Sequence, residues 1–272
     1  MQWDAAHHRG AGFCQYLLRP TGAYSILTSL CRDPHLRPKD LMNRLAEANI
    51  ADGPLVGMRD LSEGIGRLLG RLCEQGLIVR CVGGAPGVHT RYDLTRLGAG
   101  LVLSLGPLTR WAMSDFSFVV AATRVRFELP PLGGPVSAEL RQESLATGMA
   151  IGLLASQWSN PLMVYVDSAG PGGIGPNLLR DTINADLDAT SGENRVVRRL
   201  QQSVMYPTLD RLVARGLLER REDPPRVRYM LSVHGRGLMD AWWHVAEDFG
   251  IPHDAELHRI VAATSGWFAQ GH

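Results

Sequence analysis

Apolar positions recur along this chain with two periods, and the switches between them mark elements. In the second half, Val204, Leu209, Leu212 and Val213 form a helical stripe that stops at Gly216, a residue suited to a left-handed cap. Leu217 to Arg220 and Val227 to Leu231 then flank a polar turn through Asp223, Pro224 and Pro225, which predicts a hairpin. Ser232 is placed to cap a final helix carrying Leu238, Trp242, Val245 and Phe249 on one face. Upstream, residues 146 to 166 read as an apolar helix. Pro176 to Ala185 reads as a second, with proline at its start, where a missing N–H is harmless. The first half repeats the series: residues 23 to 32, Pro38 to Ala48, a third helix, two strands and a closing helix.

The two halves resemble each other in residues as well as in order. Arg91-Tyr92-x-Leu94-Thr95-x-x-Gly98-x-Gly100-Leu101 returns in the second half as Arg228-Tyr229-x-Leu231-Ser232-x-x-Gly235-x-Gly237-Leu238. Leu69-x-Arg71-Leu72-x-x-x-Gly76-Leu77-x-x-Arg80 returns as Leu209-x-Arg211-Leu212-x-x-x-Gly216-Leu217-x-x-Arg220, at a slightly larger offset, so the connection between the two blocks is shorter in the second half. A weaker pair sets Tyr24-Ser25 opposite Trp158-Ser159. Three blocks in one order point to an internal duplication. The run Pro130-Pro131-Leu132-Gly133-Gly134-Pro135 suits neither a helix nor a central strand, so domains are expected at 1–130 and 136–272. The expected fold class is mainly α with small β-hairpins, an α+β arrangement of two like modules.

Tyr206-Pro207-Thr208-Leu209-Asp210-Arg211-Leu212 followed by Gly216-Leu217 resembles the recognition-helix signature of PadR-type regulators. The Arg-Tyr-x-Leu-Ser/Thr-x-x-Gly strand end and the Trp158-Ser159 helix opening resemble HxlR-type regulators, so the chain looks like two MarR-like winged helix-turn-helix modules in tandem. That resemblance implies binding to double-stranded DNA, an internal pseudo-dimer or a homodimer, and repression of transcription in response to a small effector. The segments 49 to 58 and 186 to 202, between second and third helices, are longer than such modules usually carry.

Composition narrows this reading. Net charge is only +1, so attraction to phosphate requires local clustering of arginine, and Lys39 is the sole lysine among 28 basic residues. From 195 to 228 nine arginines face four acids, a surplus of five; from 59 to 91 five face three. The second module is therefore the expected reader. Arg195, Arg198, Arg199, Gln201, Gln202, Ser203, Tyr206, Arg220, Arg226 and Arg228 are the candidate DNA contacts, the arginines for phosphate and the polar helix start for base edges. Gly64, Gly66 and Gly70 weaken the corresponding helix of the first module, each costing about 1 kcal/mol relative to alanine.

Other chemistry is sparse. No apolar run reaches the ~18 residues of a membrane span, and no signal sequence opens the chain, so a soluble cytoplasmic protein is expected. Cys14, Cys31, Cys73 and Cys81 form no C-x-x-C pair, which argues against a structural zinc site or a disulfide framework, and no metal or cofactor is expected. Cys14 lies near where HxlR-type redox sensors keep a cysteine, but a buried apolar thiol is the favoured reading. Gly170 to Gly175 lacks the Lys-Ser/Thr of a phosphate loop and reads as a turn; His244, His253 and His258 lack ligand spacing. No catalytic signature appears, so no enzymatic activity is expected. Trp111, Trp158, Trp242 and Trp243 are candidates for core packing or for a pocket holding an aromatic effector. The alternative function is accordingly a small-molecule binding or sequestering protein that has lost DNA binding.

Overall fold

In the computed structural model, residues 3–18, 22–52, 58–81, 90–126, 143–156, 158–190, 199–223 and 226–264 are described. The chain is mainly helical with two small antiparallel hairpins. In order come α1 (Ala5–Leu18), α2 (Ala23–Arg32), α3 (Pro38–Asp52), α4 (Met58–Glu74), β1 (Ile78–Cys81), β2 (Arg91–Leu94), α5 (Arg96–Ser104), α6 (Gly106–Ser114) and α7 (Phe116–Arg126). The second half runs α8 (Glu143–Leu153), α9 (Ser159–Ser168), a 3-10 turn Gly170–Gly172, α10 (Pro176–Thr190), α11 (Gln202–Ala214), β3 (Leu218–Asp223), β4 (Arg226–Leu231), α12 (Val233–Val245), a π turn Ala246–Gly250 and α13 (Asp254–Thr264). No helix among the described residues is long and apolar enough to cross a membrane.

The repeat seen in the sequence recurs atom by atom at the joint between third helix, hairpin and closing helix. Gly76 and Gly216 take left-handed φ values of 66° and 73°, and the next amides, Leu77 N and Leu217 N, donate back to Leu72 and Leu212. Thr95 accepts from Gly98 N at 3.1 Å and donates to Gly76 O at 2.5 Å. Ser232 does the same with Gly235 N at 3.0 Å and Gly216 O at 2.6 Å. One hydroxyl thus caps a helix start and closes the end of another, a cap of about 1 kcal/mol. A Cβ at Gly98 or Gly235 would collide with the carbonyl oxygen of Leu77 or Leu217, so these glycines let helix and strand touch. Each half also has an isolated bridge, Leu36 with Tyr92 and Ile174 with Tyr229, just before the proline that opens α3 or α10.

The halves are interlocked. Helix α1 packs on α9, α12, α13 and the π turn of the second half, while α8 packs on α2, α6 and α7 of the first. Gly100 of α5 faces Phe249, and its counterpart Gly237 of α12 faces Trp111, so one contact is made in both directions. Gly10 and Gly250 meet backbone to backbone, which brings α1 down onto the π turn. One hydrophobic cluster extends from Trp3 to Leu257 through both halves. The expected boundary between 130 and 136 falls outside the described residues.

Several expectations are corrected. Residues 146 to 166 are two helices, because Leu154 N and Ala155 N turn back in 3-10 fashion to Ile151 and Gly152, and Pro161 suits only the first turn of a new helix. Helices α3 and α10 run on to Asp52 and Thr190, absorbing part of the long connections. Tyr24 lies inside the first turn of α2 whereas Trp158 precedes α9, so that third sequence pair is out of step by two residues. On α11 Met205 and Thr208 are buried beside Leu209 and Leu212, while Val204 faces out at 39% exposure. Helices α1, α6, α7 and α13 are additional to the expected series; the buried face of α1 is built from small residues as much as large ones, Gly10, Ala11 and Cys14 before Leu17 and Leu18.

Candidate nucleic-acid interface

Helix α11 begins at Gln202, and its inner residues Met205, Thr208, Leu209 and Leu212 are buried. Its outer face carries Gln201, Gln202, Ser203, Tyr206, Pro207, Asp210 and Arg211, all exposed. Pro207 occupies the second turn, and Arg211 donates to the Pro207 carbonyl and to Thr208 Oγ1, at 3.0 Å each. The approach to the helix is clamped. Asn184 of α10 accepts from Leu200 N at 2.7 Å and donates to Leu200 O at 3.2 Å, as a neighbouring strand would. This fixes Gln201 and Gln202 at the exposed entry of the helix. Arg199 is held by Asp188 through Nη2 at 2.8 Å. Arg195 and Arg198 lie outside the described residues.

The hairpin beside α11 is the second part of the surface. Leu218 pairs with Leu231, Arg220 with Tyr229, and Arg221 with Arg228. Tyr229 is buried, which is the main reason its hydroxyl is pushed above the ordinary tyrosine value. Arg220, Asp210 and Tyr206 also act on that hydroxyl, so helix face and hairpin meet around it. Arg220 pairs with Glu222 at 2.9 Å, and Arg221 approaches Glu219 at 3.7 Å. Arg226 is exposed near the tip, whereas Arg228 is half-buried and donates to Gly172 O at 3.0 Å, which ties the middle of the hairpin to the 3-10 turn.

Arg215, part of the sequence charge surplus, contributes nothing to this surface. It is 8% exposed and donates to Leu153 O at the end of α8. Burial, then nearby Arg126 and Arg211, push it down to about 10. Arg126 reaches Gly152 O on the same helix end, so two guanidinium groups sit on the negative end of the α8 dipole. In the first half, Gln75 stands where Arg215 stands in the second, fully buried. The outer face of α4 bears Gly64, Gly66 and Gly70, each with open space where a Cβ would be. Gly66 is the counterpart of Tyr206.

The four tryptophans have different surroundings. Trp111 packs edge-on to Phe118 with centroids 6.4 Å apart and abuts Gly237; Trp242 is 1% exposed in the core; Trp158 precedes α9. Trp243 stacks on His7 at 4.6 Å, and His7 leads to Trp3, whose Nε1 donates to Asp167 at 2.8 Å. His7 and His8 on α1 escape a reading of the sequence because nothing local links them to residue 243. A small cleft lined by Val166, Asp167, Gly170, Met230 and Arg236 touches none of the tryptophans. Cys14 is fully buried, and that burial raises its thiol to about 12. Comparison with protein families, curated proteins and solved structures returned no match for this chain.

Proposed function

We propose that this chain is a DNA-binding transcription regulator formed from two winged helix-turn-helix modules folded against each other as an internal pseudo-dimer, with the second module reading the duplex. One observation carries the reading. The outer face of α11 presents Gln201, Gln202, Ser203, Tyr206 and Arg211 to solvent next to the arginines of the β3–β4 hairpin. A major groove admits one helix, and glutamine pairs with adenine edges there; the hairpin then lies along the backbone, where Arg220, Arg221 and Arg226 neutralise phosphate. The first module has glycine on the equivalent helix face and serves as the docking half. The interlocked packing of α1 and α8 supports a fixed spacing between modules. The reading as a ligand-binding scaffold has less behind it, since Trp111 and Trp242 are packed in the core.

The test is fluorescence anisotropy of the full chain on duplexes from its own upstream region, titrated with salt. Binding that weakens linearly with log salt, with a slope near −0.9 for each phosphate contacted, is expected. Absence of salt-dependent binding on any duplex sinks the proposal.

A further inference from the structure

The first hairpin carries a cluster that the second lacks. His35 Nδ1 lies 2.6 Å from Asp93 Oδ2, and Cys81 Sγ lies 3.4 Å from the same oxygen. One donor atom from each of the three residues falls within 4.8 Å of the others. They come from three segments: the turn between α2 and α3, the end of β1, and β2. The chain separates His35 from Asp93 by two whole helices and a strand, which is why no spacing motif announces them.

We propose that His35, Cys81 and Asp93 form a binding site for a divalent transition-metal ion of the zinc class, pinning the first hairpin to the turn before α3. The donor set is nitrogen, sulfur and oxygen, the mixture borderline ions prefer. Metal–donor bonds of roughly 2.0–2.3 Å place the donors of a tetrahedral ion about 3.3–3.8 Å apart, so the cluster needs only a small opening of the His35–Asp93 contact. Binding sends the Cys81 proton to solvent and leaves the imidazole proton on Nε2, which frees the Nδ1 lone pair. Cys81 and Asp93 are half-buried and His35 is exposed, and these three are the donors brought together among the described residues.

Backbone conformation gives an independent argument. His35 has φ of 62°, and it alone among the described non-glycine residues is positive. At the same joint of the second half, just before the bridge to Tyr229, stands Gly173 with φ of 65°. The joint calls for glycine, yet the first half places a histidine there at a cost in strain. The second half has Arg221 and Met230 where the first has Cys81 and Asp93, so the three donors go together.

Cobalt(II) titration of the full chain tests this. A saturable thiolate-to-cobalt charge-transfer band with visible d–d bands, complete at one equivalent, is expected. Cys81→Ser should abolish the charge-transfer band, while a Cys31→Ser/Cys73→Ser double variant keeps it. His35→Gly should retain the fold by circular dichroism, since glycine holds this joint in the second half, and lose at least about tenfold in cobalt affinity. A charge-transfer band that survives Cys81→Ser, no saturable band in the parent, or unchanged affinity in a folded His35→Gly overturns the site. DNA binding by the second module does not enter any of these readouts.

Discussion

Arg221 lies directly across the β3–β4 hairpin from Arg228, so two guanidinium groups start from one face of the ladder. Like charges opposite each other on a sheet are destabilising. Here Glu219 and the Gly172 carbonyl offset that only in part. Such an arrangement is favoured where an anion completes it. Arg221→Thr should therefore raise folding stability by about 0.2–1 kcal/mol, the scale of a cross-strand pair, and reduce the salt dependence of DNA binding by about one contact. Urea midpoints and anisotropy titrations measure the two effects. A stability gain with DNA binding unchanged would remove the hairpin from the interface.

Gln202 and Tyr206 sit on the exposed entry of α11, where base edges would be met. Gln202→Ala should cost about 1–3 kcal/mol against the preferred duplex and little against random DNA. Equal loss on both would show that the helix contacts backbone only.

Gly235 is pressed against the Leu217 carbonyl, leaving no room for any Cβ. Gly235→Ala must push α12 away from β3 and should destabilise the fold by at least about 1–3 kcal/mol, as overpacking does. Gly98→Ala should match it, because the same carbonyl contact recurs at Leu77. A control at Gly70, where a Cβ meets open space inside a helix, should instead gain up to about 1 kcal/mol. Chemical denaturation of the three variants checks the order.

His8 is half-buried, against Tyr165 at 4.8 Å and beside Trp3. Burial is the main cause holding it below its ordinary value of 6.5; Asp186 and Asp4 oppose this, and His7 adds to it. As pH falls, the unfolded chain takes up this proton first. The contribution of His8 to stability is therefore full above about pH 6.5 and is lost as pH falls through the lower folded value. His8→Phe should flatten that part of the stability profile. An identical acid slope in parent and variant would mean another group is responsible.

Cys14 and Cys31 should differ sharply toward thiol reagents. Cys31 is exposed, while Cys14 is fully enclosed with its thiol raised to about 12. Since the thiolate is the reactive form, Cys31 should label in the native protein and Cys14 only on unfolding. Mass spectrometry of partially labelled protein distinguishes them. Rapid native labelling of Cys14 would revive a sensing role.

Much of the fold is legible in the residues themselves. Gly76 and Gly216, Thr95 and Ser232, Gly98 and Gly235 each act within a few positions of the chain, so their spacing alone announces turn, cap and close approach. The inner face of α12 follows from period, since Leu238, Trp242 and Val245 recur every three or four residues. Val204 and Met205 show the limit: adjacent apolar residues leave the facing of a helix start open, and packing against the neighbouring elements chose Met205. Of the candidate interface, the exposure of Gln201, Gln202 and Tyr206 agrees with the sequence pattern, and the withdrawal of Arg215 from the basic surface does not.

Local order, then, is written in short-range chemistry: period, caps, glycines and the repetition of all three in both halves of the chain. Tertiary structure alone decided that α1 crosses to the second half, that Arg215 sits on the end of α8, and that His35 meets Cys81 and Asp93. Contacts of that kind join residues far apart in the chain, and they depend on where two surfaces fit closely, as at Gly10 and Gly250. Neither residue carries a side chain whose pattern would declare the partner, so only the packed chain brings them together.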